Sequence, residues 1–228
     1  MSVDGLAETM RGLRLALPSG RPPTLLFIGA HCDDIEIGCG ATAMQLMRQY
    51  PKAHVHWVVL SSGKLRAREA RRGASAILRG RANAHVLIQD FRESYFPSEL
   101  PAIKDFFETL KRSMEPDLIL THCREDLHQD HRTVGELSWN TFRNHAILEY
   151  EIPKYDGGLG SPSLFVPVSK ATATRKVGLL MKTFPSQLGR HWFTPETFWA
   201  LMRLRGIECN APSGYAEAFY SRKLVLET

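Results

Sequence analysis

Along the first two-thirds of the chain, short unbroken apolar runs alternate with stretches where apolar residues recur every three or four positions. Residues 24–30 (TLLFIGA) form the first run, fenced by Pro22 and Pro23 and followed by polar residues, as expected of a strand buried on both faces. Residues 55–60, 84–88 and 117–121 repeat that signal. Between them the spacing predicts helices near 40–50, 64–79 and 98–114. The last is the sharpest, with Leu100, Ile103, Phe106, Phe107, Leu110 and Met114 at steps of three and four. Pro116, which has no N–H to continue the ladder, closes it. Strands alternating with helices in this way predict a three-layer, Rossmann-like α/β fold, a mostly parallel sheet with helices on both faces.

The final third is less regular. Residues 154–167 (KYDGGLGSPSLFVP) read as a long loop, two helices follow near 172–183 and 195–205, and a closing strand is expected near 219–225. No internal repeat or low-complexity tract breaks the pattern. The expectation is one domain over residues 1–228, with a core at about 22–150 and a C-terminal elaboration at about 151–228. With 228 residues and 43% hydrophobic content, the chain is long enough for one substantial core.

Charge narrows the partners. The net charge of +5 suits an anionic substrate as well as an ordinary surface. The densest basic run, residues 64–81, has alanines and apolar residues at helical spacing, so it reads as a solvated helix face and not as a nucleic-acid stripe. The N-terminal stretch MSVDGLAETMRGLRLAL carries acidic residues and lacks the apolar core of a signal peptide. No segment approaches the ~18 apolar residues of a membrane span. Cys32, Cys39, Cys123 and Cys209 show no CxxC pair and no disulfide spacing. Cytoplasmic residence without membrane insertion is the expectation.

Two clusters carry the chemistry, and each begins where a predicted strand ends, the edge at which open α/β sheets place their ligands. In AHCDDIEIGCG (residues 30–40), His31, Asp33 and Asp34 crowd into four positions. Adjacent carboxylates repel, and burying them is costly unless a cation neutralises them. A metal would resolve the conflict by taking one imidazole and one carboxylate, leaving the other aspartate as a base. The bland reading is an Asp-rich turn capping a helix. In THCREDLHQDHRTVGEL (residues 121–137), His128 and His131 stand three apart, on one side of a helical turn, with Asp126 and Asp130 beside them to orient the rings. A catalytic zinc needs three protein ligands and one open position, and His31, Asp34 and His131 supply that set. Asp33 and His128 then remain as base and acid. The same two-histidine, one-carboxylate set also suits Fe2+.

Ala30-His31-Cys32-Asp33-Asp34 and His128-Gln129-Asp130-His131 closely resemble the paired motifs, Ala-His-Pro-Asp-Asp and His-x-Asp-His, of the PIG-L (LmbE-like) family of zinc-dependent N-acetylglucosaminyl deacetylases. Arg66-Ala67-Arg68-Glu69, Tyr150-Glu151-Ile152-Pro153, Ser186-Gln187 and Ala216-Glu217-Ala218-Phe219 resemble further elements of its bacterial branch, so the likeness spans roughly residues 24–225. The resemblance implies His31, Asp34 and His131 as Zn2+ ligands and Asp33 as general base. It implies His128 as the group that stabilises the oxyanion or protonates the leaving amine, with Asp130 holding His128, and it gives Arg66, with Arg68 as the near alternative, to the substrate. It further implies a small N-acetylated sugar or sugar conjugate as partner and a capacity for homo-oligomers, on which the residues themselves are silent. Two departures stand out: Cys32 replaces the motif proline, and Ala41 replaces a second glycine often found after Gly40. The competing readings are a metal hydrolase acting on another bond, such as a phosphoester, and a catalytically silent sugar- or nucleotide-binding protein of the same fold.

Overall fold

The structure is a computed structural model and describes residues 12–225; most of the N-terminal stretch considered above lies outside them. Five strands run parallel: β1 (Thr24–Gly29), β2 (His54–Val59), β3 (Ala84–Ile88), β4 (Leu118–His122) and β5 (Ile147–Tyr150). The helices α1 (Asp34–Gln49), α2 (Lys64–Leu78), α3 (Leu100–Ser113) and α4 (Gln129–Thr141) connect them. Beyond β5 come β6 (Leu164–Pro167), α5 (Lys170–Thr183), α6 (Pro195–Glu208) and β7 (Ala216–Tyr220), with β7 antiparallel to both β5 and β6. The sheet order is β3-β2-β1-β4-β5-β7-β6.

Strand alternation divides the core. Leu25 and Phe27 of β1 face one layer with α1, α2, α5 and α6, while Leu26 and Ile28 face the other with α3 and α4. In β1 the residues from Leu25 to Ile28 are fully buried, which is why the strand reads as a continuous apolar run and not as an alternation. The predicted α3 stripe buries Ile103, Phe107 and Leu110, whereas Leu100 at its start is exposed. Among the described residues no helix is long and apolar enough to cross a membrane.

The first four strands and the later expected helices appear within a few residues of their predicted bounds, whereas α1 begins at Asp34, six residues before the expected 40. Three elements do not follow from the pattern. α4 has polar residues along much of its length, and its core-facing Val134, Leu137 and Trp139 are too few and too unevenly spaced to declare a period. β5 and β6 have only four residues each; β6 lies inside the segment read as loop and gains its identity from pairing with β7. β7 itself begins and ends earlier than expected, at Ala216 and Tyr220.

The topology fixes where a site can form. The chain builds β1, β2 and β3 outward in one direction, then returns to the other side of β1 with β4. At that reversal the loops leaving β1 and β4 diverge to opposite faces and open a crevice at the carboxyl edge. Both chemistry-bearing clusters follow these two strands.

Candidate metal and catalytic site

His31 lies in the loop after β1, and Asp34 opens α1. His128 is the N-cap of α4, and His131 sits in its first turn. Two ring nitrogens and the two oxygens of one carboxylate face one another. His31 Nδ1 is 3.1 Å from His131 Nε2 and 3.5 Å from Asp34 Oδ2, and His131 Nε2 is 3.6 Å from Asp34 Oδ1. Zinc bonds of about 2.1 Å at tetrahedral angles place donors roughly 3.4 Å apart, so this spacing fits one zinc.

The far ring nitrogens, and the Asp34 oxygen nearer His31, are also held by other groups. His31 Nε2 meets Asp130 Oδ2 at 3.1 Å, and His131 Nδ1 meets Asp126 Oδ2 at 3.1 Å. Asp34 Oδ2 accepts the His31 N–H at 2.6 Å and lies 2.9 Å from His122 Nε2. Each outer partner fixes a ring or carboxylate so that one donor remains turned inward, the arrangement that orients metal ligands. Lys154 in turn holds Asp126, with Nζ 2.7 Å from Oδ2. Two alternative triads, His31–His128–His131 and Asp34–His122–His131, also bring their donor atoms within 4.8 Å of one another. His131 belongs to both.

Charges follow from burial and these contacts. Burial would raise the Asp34 carboxyl, but the imidazoles of His131, His122 and His31 hold it well below the usual carboxylate range. Burial would lower His31, yet Asp34 and Asp130 outweigh it and hold the ring up at about 10. His131 goes the other way, driven down to about 3 by burial and by His122. Burial raises the Asp33 carboxyl, against the pull of Arg66.

The sequence-predicted residues are not all placed as expected. His31, Asp34 and His131 converge, and Asp33 lies beside them, 4% exposed, with its Oδ1 accepting a 2.8 Å bond from Arg66. The Asp130 carboxylate does not hold His128. It binds the His31 ring and accepts N–H bonds from Ser94 at 2.6 Å and Phe96 at 3.2 Å, while only the main-chain N–H of Asp130 reaches His128 Nδ1, at 3.2 Å. Helix capping explains this: His128 fills the N-cap, so its Nδ1 is taken by the second backbone donor of α4. Arg68 is exposed, two positions around α2 from Arg66, and so points away from the site. Arg66 leans on Ser186 Oγ (3.3 Å) and Glu69 (3.4 Å), and the Ser186 N–H and hydroxyl both donate to Glu69. The pair Glu69–Ser186 was visible in sequence only as unconnected likenesses, because 117 residues separate them. Cys32 donates to the Ser61 carbonyl at 3.3 Å, and burial pushes its thiol up to about 12, so it packs as a neutral side chain and is no thiolate ligand.

Gly38, in the short helical segment that carries Asp34, has a role that spacing alone did not reveal. A Cβ there would stand 2.2 Å from the ring of Tyr150, which is fully buried and whose hydroxyl donates to the Ile28 carbonyl at 2.6 Å. An exposed helix would gain up to about 1 kcal/mol from Gly→Ala. Here Gly38→Ala is expected to cost about 1–3 kcal/mol instead, as overpacking does. Urea denaturation of the two chains measures it, and an unchanged or raised midpoint would refute the contact.

Comparison with known proteins places this geometry in a family. The family model PIG-L, GlcNAc-PI de-N-acetylase, matches residues 26–142, just over half of the chain and the segment containing both clusters. An uncharacterized deacetylase, YaiS of Escherichia coli strain K12, is 29% identical over 167 residues, covering 69% of this chain and 89% of its own. The N,N'-diacetylchitobiose deacetylase of Pyrococcus horikoshii superposes with a TM-score of 0.65 at 17% identity, over 90% of this chain and 85% of that one. GalB, the 4-carboxy-2-hydroxymuconate hydratase of Pseudomonas putida KT2440, superposes with 0.67 at 16% identity, over 90% and 99%. Likeness at such identity shows the fold alone, and this fold serves more than one reaction. What separates the cases is the family match across the two clusters: the chain belongs to the PIG-L family of de-N-acetylases and is a hydrolase of the N-deacetylase kind.

Proposed function

We propose that the chain hydrolyses the acetamide of an N-acetylated amino sugar or sugar conjugate to acetate and a free amine, with a zinc ion held by His31, Asp34 and His131. The observation that carries this reading is the set of three inward donors, each fixed from behind by a carboxylate, a histidine or a main-chain N–H. When held there, the ion supplies Lewis acidity toward a water and an acyl oxygen.

The protein groups do the rest. Asp33 has one oxygen engaged by Arg66 and the other available to take the proton from the attacking water. Burial raises its carboxyl, which makes it a stronger base than a solvated aspartate. Because His128 Nδ1 accepts the Asp130 N–H, its neutral ring carries the proton on Nε2. That N–H donates to the oxyanion as the new C–O bond forms, and the proton that Asp33 took from the water passes to the departing nitrogen as the C–N bond breaks, which leaves both side chains as they began.

Arg66, braced by Glu69 and Ser186, serves the substrate side of the site and keeps Asp33 in place. Arg66→Lys keeps the charge but not the fork that spans Asp33 and Ser186. It is expected to raise KM about tenfold, the size of one lost charged hydrogen bond, with zinc content unchanged. Steady-state kinetics with parallel metal analysis decide it; an unaltered KM removes Arg66 from substrate binding.

The direct test is elemental analysis of the purified chain together with amine release from N-acetylglucosamine and its UDP derivative. About one zinc per chain with amine release is the expected result; iron in its place keeps the ligand set and changes the ion. Metal without release moves the substrate to another acyl-amino compound. No metal after reconstitution removes the mechanism and leaves a sugar-binding protein.

A further inference from the structure

α1 is two helical segments. Cys39 leaves helical geometry (φ −141°, ψ 22°), so residues 34–38, which carry Asp34, are separated from residues 40–49. In an unbroken helix the Ala41 N–H would donate to the Ile37 carbonyl, and the Thr42 N–H to that of Gly38. Here the Ala41 and Thr42 N–H groups donate to the two oxygens of Glu217, at 2.9 and 2.6 Å. The Ile37 carbonyl accepts from Lys176 Nζ at 2.5 Å, and Lys176 meets Glu217 at 2.6 Å. An ion pair from α5 and β7, with Lys176 3% and Glu217 4% exposed, is thus inserted into the broken rungs.

The geometry points to Lys176 and Glu217 as positioning residues that hold the Asp34-bearing segment at the angle the site requires. Stability alone is a poor account of the pair, because apolar residues of similar volume commonly replace buried ion pairs without loss. Apolar residues would, however, leave two N–H groups and a carbonyl unpaired at the break. The cheapest remedy is for the helix to close its own rungs. Closing them would turn residues 34–38 about the helix axis and carry Asp34 away from His31 and His131, where ligand distances tolerate only about 0.2 Å. The cation suits the carbonyl end of the first segment and the anion the N–H end of the second, so each charge also opposes a helix dipole.

This inference rests on the zinc site proposed above. The test is the zinc dissociation constant of the metal-stripped chain, from competition with a fluorescent chelator well below the unfolding temperature. Glu217→Gln and the double variant Lys176→Met/Glu217→Met are compared with Leu110→Ala, a fully apolar truncation across the sheet in α3. The double variant is neutral and close in volume, so it keeps the test open where Glu217→Gln does not fold. Both ion-pair variants are expected to bind zinc about tenfold more weakly, the usual loss when support behind a ligand is removed. Leu110→Ala should bind as the parent does despite a lower unfolding temperature. Parent-like affinity in the ion-pair variants, or an equal loss in Leu110→Ala, overturns the positioning role alone. Failure of the parent itself to bind zinc overturns the metal reading and this inference with it.

Discussion

Asp33→Asn is expected to reduce kcat by about 10²- to 10⁴-fold, the span attributable to a general base, while zinc content and KM stay near those of the parent. The substitution preserves shape and removes only the ability to take a proton. Asp33 is not one of the three inward donors: its carboxylate points to Arg66, at 2.8 Å, and the donors meet without it. Its loss should therefore separate chemistry from metal binding. Arg66 keeps its contacts to Glu69 and Ser186, so the wall of the site remains assembled. Amine release under saturating substrate, with metal analysis of the same sample, gives both numbers. Undiminished turnover would assign the base to another group, and loss of zinc would make Asp33 a ligand.

His131→Ala is expected to abolish zinc retention and turnover together. His131 Nε2 faces both His31 and Asp34, and among the described residues the ring also belongs to both alternative triads. Its removal should weaken zinc by more than the roughly 100-fold upper range for loss of an outer partner. Asp126→Asn provides the graded control. Asp126 touches the far nitrogen of the same ring, and the pKa of its carboxyl is held down at about 2, against burial, by His131 and Lys154. That variant should bind zinc about tenfold more weakly and remain active at high zinc. Dialysis against a chelator series, followed by reconstitution, ranks the three chains. If His131→Ala keeps its zinc, the metal lies elsewhere and the candidate ligand set is wrong.

The Asp130 result shows where local reading of a motif runs out. The family resemblance implied that Asp130 holds His128, two residues away. Yet residue 128 occupies a cap and not a helical turn, so the Asp130 side chain leaves its neighbour and reaches His31, 99 positions distant. Arg68 fails for a similar reason. It and Arg66 look equivalent in an Arg-x-Arg string, but the helical rotation between them puts one against Asp33 and the other in solvent.

The apolar runs at β1 to β4 and the periodic stretches at α2 and α3 determined the layered α/β architecture, because burial on both faces of a parallel strand leaves a mark that no neighbour is needed to interpret. Crowded charge in AHCDD and HQDH likewise marked His31, Asp33, Asp34, His128 and His131, since such groups are costly to bury without a cation. Tertiary structure alone decided the short strands β5 and β6, whose identity lies in their partners. It alone supplied the supports behind the site: Asp126 with Lys154, Glu69 with Ser186, and the Lys176–Glu217 pair in the break of α1. Each is a contact between segments distant in sequence, and each draws at least one residue from the chain beyond β5. Periodicity reports how a residue meets the core. Which charged residue it meets there depends on where the rest of the chain returns.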